Sequence, residues 1–135
     1  MTLVGFHYTK ISAEKKKAIT GKVNASNNLV LDKVQEAKLS GSASQKGIEF
    51  TFKFMVVFEP GIGTVELQGK VVYMGTPAKV KESLDKWTKD KNLSPEILEE
   101  VYNSLLHRCN IEALLLSKEM QMPSHLPMPK VKQKK

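Results

Sequence analysis

From Ile48 to Phe58 apolar and polar side chains alternate. Ile48, Phe50, Phe52, Phe54, Val56 and Phe58 fall on one side, with Glu49, Thr51, Lys53, Met55, Val57 and Glu59 on the other. Period two is the period of a β-strand, and the four phenylalanines on one side require an apolar layer against them. Pro60, Gly61, Ile62 and Gly63 supply a turn, after which Thr64 to Met74 alternates again with Val65, Leu67, Val71 and Tyr73 on one side. The two segments predict an antiparallel hairpin. Gly69 interrupts the apolar series of the second segment, which predicts a bulge or the close approach of a bulky side chain such as a phenylalanine opposite.

Upstream, Leu3 to Ile11 carries Val4, Phe6 and Tyr8 at even positions and predicts a further strand. Leu29 to Leu39 has a mixed pattern. Leu31, Val34, Gln35 and Lys38 suit helical spacing, so this segment reads as a strand with a short helix as the alternative. The stretches Ala18 to Asn28 and Ser40 to Gly47, rich in Gly, Asn and Ser, are expected to be loops.

The second half changes period. Thr76-Pro77 is an N-cap followed by a first-turn proline, and Val80, Leu84 and Trp87 recur on one helical face. Ser94-Pro95 repeats the signal, with Glu96, Glu99 and Glu100 placed to complement the helix dipole. Leu98, Val101, Tyr102, Leu105, Cys109, Ala113, Leu116 and Met120 trace an apolar stripe ended by Met122 and Pro123. The helix should span about 28 residues, roughly 42 Å. Ile111, Leu114 and Leu115 widen the apolar surface beyond one stripe, more than one sheet face can cover. Either the tail or a second copy of the chain must shelter the surplus; these three residues are the expected oligomer interface. The chain thus divides into an α+β domain, residues 1–121, and a proline- and lysine-rich tail, residues 122–135, with Leu126 and Met128 set between prolines as in an extended polyproline strap.

Composition adds constraints. At 135 residues there is room for one core. One cysteine cannot form an internal disulfide, and the N-terminus lacks the pattern of a secretory signal, so a cytoplasmic protein is expected, without a membrane-spanning segment. The net charge of +7 invites a nucleic-acid reading. Yet all but one of the 21 basic residues are lysine, whereas base and phosphate readout favours the planar guanidinium fork. The phenylalanines next to lysines share one parity, as a core requires and a stacking surface does not.

Catalytic chemistry is hard to assemble. His7, His107 and His125 are scattered, and Cys109 is two positions from His107, a spacing that does not bring helical side chains together. Cys109 is expected to pack as a small hydrophobe. Four soft ligands at zinc-finger spacing are missing, and Gly61-Ile62-Gly63 precedes a strand rather than the helix a phosphate loop needs. No cofactor, metal or catalytic residue is expected.

The hairpin from Phe50 to Tyr73, the segment Phe6-His7-Tyr8-Thr9-Lys10-Ile11 and the helix-to-tail run Arg108 to Pro129 occur in an order that resembles the SecB-type export chaperones and small archaeal relatives of unassigned function. The expected fold is α+β and SecB-like, an antiparallel four-stranded sheet followed by a short and a long C-terminal helix. The resemblance implies an oligomer that holds non-native or extended polypeptides in apolar grooves without ATP. Carried onto this chain, the client-facing residues would be Phe58, Ile62, Val72 and Met74 on the hairpin, with Leu126 and Met128 in the tail. The chain departs from the bacterial members in being basic, in lacking a final short helix and in having an extra short helix before the long one, features that argue against contact with a secretion motor. The expectation is a non-enzymatic, oligomeric polypeptide-binding protein; the alternative is a basic nucleic-acid-associated protein.

Overall fold

The computed structural model describes residues 2–19, 21–37 and 45–125. In chain order it contains β1 (Thr2–Lys15), β2 (Asn24–Ala37), β3 (Lys46–Glu59), β4 (Gly63–Gly75), α1 (Pro77–Asp90) and α2 (Pro95–Glu119). The strands form one antiparallel sheet in the order β1-β4-β3-β2. The two strands with the clearest period-two pattern are central, and β1 and β2 are the edges.

The alternating phase holds residue by residue. Val56 faces Val65, Phe54 faces Leu67, Phe50 faces Val71 and Ile48 faces Tyr73 across the β3–β4 pair. All of these side chains are at most 2% exposed and form the core with the buried side of the helices. Gly69 stands opposite Phe52. A Cβ at Gly69 would lie 2.9 Å from Phe52 Cζ and 3.0 Å from Tyr8 Cα, so the missing side chain makes room for the ring and for β1. Next to it β1 shifts register between Tyr8 and Lys10. Of the two alternatives expected at Gly69, the close approach of a phenylalanine is the one realised; β4 runs through Gly69 against β3 without a register shift, and the bulge beside it belongs to β1.

From Leu29 to Ala37 the chain is a strand, so the helical alternative is not realised there; Lys38 and Leu39 lie outside the described residues. The strand also begins earlier than expected: Asn24, Ala25, Ser26, Asn27 and Asn28, expected in a loop, pair with Glu59 to Met55. Their local propensity for turns is overridden by the backbone pairing that β3 offers. Each edge strand carries a register shift, between Leu3 and Gly5 and between Tyr8 and Lys10 in β1, and between Leu31 and Lys33 in β2. Such bulges interrupt an otherwise continuous exposed edge.

Thr76 caps α1, its Oγ1 accepting from Lys79 N at 3.3 Å. In α2 the buried residues are Ile97, Val101, Leu105, Cys109, Ala113 and Ser117, one in every four. The predicted stripe contained neither Ile97 nor Ser117. The Ser117 hydroxyl is affordable in the core because it donates to Ala113 O at 2.7 Å. The helix has 25 residues and stops at Glu119, short of the predicted end. Gln121 has φ 54°, its N–H bonds Lys118 O at 3.1 Å, and Met122 N–H bonds Ser117 O at 2.8 Å. This paired closure, a Schellman motif, turns Met122 back into the core, where it is 6% exposed.

Candidate functional site: apolar surface left uncovered

The buried residues of α2 recur every fourth position, so residues two places away from them lie about 200° around the helix. Ile111 and Leu115 occupy those places and are 48% and 54% exposed. With half-buried Leu114 and with Met122 and Ser124 they line an open groove of about 470 Å³, its lining mostly apolar and rimmed by Lys118. The three residues expected at an oligomer interface thus share one outward surface.

Met122 and Ser124 of the returning chain form one wall of the groove, and His125 follows them. His125 Nε2 is 2.9 Å from Asn110 Oδ1, and its ring meets Phe54 edge-on at 6.4 Å between centroids. With Nε2 as the donor, Nδ1 keeps its lone pair. That Nδ1 is buried without a partner among the described residues. Burial pushes the imidazole pKa below its usual value, because protonation would place an N–H and a charge where nothing accepts them.

The opposite flank of α2 meets β1. Arg108 lies over the Phe6 ring at 4.8 Å, and Tyr8 donates to Arg108 O at 3.4 Å. Burial, then the neighbouring Cys109 and Glu112, raises the Tyr8 pKa. Burial likewise pushes the Cys109 thiol up to about 12, so it is a neutral packing group at pH 7 and not an activated nucleophile. His107 is exposed on the helix surface. Among the described residues no group of three His, Cys, Asp or Glu side chains is arranged to hold a metal, and no helix is long and apolar enough to cross a membrane.

On the sheet face away from the helices, Lys10 and Lys53 converge on Glu66 at 3.1 and 3.4 Å, and Lys70 reaches Glu49 at 3.5 Å. Hydrogen bonds from Gln68 and Lys10 hold the Glu66 carboxyl below the usual carboxylate range. Three lysines here share two carboxylates, and the phenylalanines point the other way, so this face carries partly paired charge and no stacking platform. At the β2 edge it becomes less polar. Val30, Met55 and Val57 line a shallow hollow of about 410 Å³ with Ser26, Asn28 and Lys53.

The expected client-facing residues divide. Phe58 and Ile62 are 0% and 1% exposed, filling the core under the hairpin turn, and cannot display their side chains to a peptide. Phe58 has the parity of the core phenylalanines, and Ile62 N bonds Phe58 O at 3.0 Å, folding the turn inward. Val72 and Met74 are half-buried on the open face, at the end away from the hollow. Leu126 and Met128 lie outside the described residues. Sequence reasoning passed over Val30, Met55 and Val57. The signal was two apolar residues, Met55 and Val57, on the otherwise polar side of β3.

No protein-family model matches the chain, and no curated protein matches it. Among solved structures it is similar to the SecB-like chaperone Rv1957 of Mycobacterium tuberculosis, in complex with a ChAD peptide from the Rv1956 HigA1 antitoxin. The TM-score is 0.50 at 9% sequence identity, covering 99% of this chain and 92% of that one. The α+β architecture of four antiparallel strands followed by two helices is the SecB-like fold.

Proposed function

We propose that the protein is a non-enzymatic, homo-oligomeric binder of extended or non-native polypeptide segments. The observation that carries this reading is the uncovered apolar side of α2, where Ile111 and Leu115 stand about half exposed although the helix is otherwise well packed. Large aliphatic side chains gathered on one surface mark an interface more often than chance exposure does. A second copy is the occupant that fits the α2 groove. The polypeptide is assigned to the open sheet face at the β2 edge: an added strand can pair with the free backbone of β2 while alternate side chains enter the hollow at Val30, Met55 and Val57. The peptide complex of the SecB-like neighbour supports a polypeptide-binding role at the level of the fold.

Two measurements test it. Light scattering of an aggregating client should fall when the protein is added in several-fold excess, and V30K/M55K should abolish that suppression while leaving particle mass unchanged. Light scattering from the protein itself should give a mass above that of one chain, reduced by I111K/L115K. A client that aggregates equally with and without the protein overturns the holding role. A monomer in the unsubstituted protein overturns the oligomer.

A further inference from the structure

Among the described residues no strand pairs with the outer side of β2. The regular part of that edge is short. Asn24 to Leu31 pair one for one with Glu59 to Phe52, and the register then slips at Asp32. An added strand therefore meets about eight residues of straight edge, roughly 26 Å, before the bulge bends it. Three rows cross this stretch on the open face: Ser26 beside Val57, Asn28 beside Met55 and Val30 beside Lys53. Ser26 is short, so a side chain laid next to it reaches Val57, while Val30 is 45% exposed and meets its neighbour directly. The other side of the strand offers less apolar area, because Leu31 is already buried and Ala25 and Asn27 are small or polar.

Charge marks one end of the hollow. Past Val30, the next open-face position of β2 is Lys33, opposite Thr51. Lys33 is exposed and forms no ion pair among the described residues. Lys53, one row before it, has to share the Glu66 carboxylate with Lys10, at 3.4 and 3.1 Å. Even counting Asp32 in the bulge, which pairs with none of them, this end sets three lysines against two carboxylates.

We infer that the segment taken up at the β2 edge is an extended stretch of about eight residues, apolar at alternate positions, with a carboxylate at the next position of the same side, beside Lys33. The inference rests on the polypeptide-binding reading and narrows it to a class of segment. Alternation follows from strand addition, which fixes the side chains that turn to the hollow; a slip of one residue turns all of them away. The carboxylate follows from the lysines. It supplies the counter-charge Lys33 lacks, whereas a basic side chain there would set a third like charge beside Lys33 and Lys53.

Fluorescence anisotropy of labelled peptides with the full chain at low salt tests it. The peptides alternate Thr with three Val and carry one Glu, at the N-terminal end in one and the C-terminal end in the other, since the direction of the added strand decides which end reaches Lys33. The tighter of the two should bind at least tenfold more tightly than a peptide of the same composition with its valines consecutive. It should bind about threefold more tightly than its counterpart with Lys in place of Glu, the size of effect an exposed ion pair gives. K33E should reverse the second preference and keep the first. Equal binding of alternating and consecutive valines, equal binding of the Glu and Lys peptides, or an unchanged order in K33E overturns this inference and leaves polypeptide binding standing. Binding of no peptide overturns polypeptide binding at this edge, and the inference with it.

Discussion

The two sides of α2 carry the same kind of residue and meet opposite fates. Leu105 is 0% exposed and Leu115 is 54% exposed, although both are leucines in the middle of one regular helix. Helix propensity does not distinguish them. What differs is the layer opposite: the inner side faces the apolar rows of the sheet, and the outer side faces no element among the described residues of the same chain. The inner side is accounted for by folding one copy. The outer side, with Ile111 and Leu114, is left uncovered by that folding, and the function proposed above gives it to a second copy.

The sharpest test of this contrast is the pair of truncations. Leu105→Ala should lower unfolding free energy by about 2–5 kcal/mol, read from a denaturant midpoint. Were the loss below about 1 kcal/mol, the inner side would not be a packed core. Gly69→Ala probes the layer that seals it. The added methyl meets Phe52 and the β1 backbone and should cost roughly 1–3 kcal/mol, visible as a lowered Tm. Tyr73→Phe sharpens the same side: the buried hydroxyl has Ser104 beside it but completes no hydrogen bond among the described residues, so its removal should change stability by no more than about 1 kcal/mol.

His125 stands at the boundary between the sides. Its folded pKa is below the 6.5 of a free imidazole, so the unfolded chain takes up the proton more readily. Its contribution is complete above pH 6.5 and is lost as pH falls through 6.5 toward the folded pKa. H125Q should flatten the stability profile in that window; a profile identical to the parent's would place His125 outside the packed strap. The smallest effect belongs to the outer side. Leu115→Ser should change stability by about 0.5 kcal/mol or less at concentrations where the chain is monomeric. A loss as large as that of Leu105→Ala would erase the distinction and make the outer side part of an obligate shared core.

Much of the fold was legible because its signals are local. The alternation from Ile48 to Phe58 and from Val65 to Tyr73 set both the strands and their inward face, and Thr76-Pro77 and Ser94-Pro95 marked both helix starts. The site was less legible because exposure is a relation between distant segments. Phe58 and Ile62, expected to meet a client, are sealed by the turn and the core, whereas Met55 and Val57 on the polar side of β3 line a hollow with Val30 of β2.

The amino-acid order by itself determined the periods, the two helix starts, the opening Gly69 provides for Phe52 and the excess of aliphatic residues on α2. Only the tertiary structure decided that Asn24 to Asn28 join β2, that Met122 closes the core, and which aliphatic residues stay uncovered. Periodicity is set by neighbours along the chain. Pairing, burial and exposure depend on what the rest of the chain brings across.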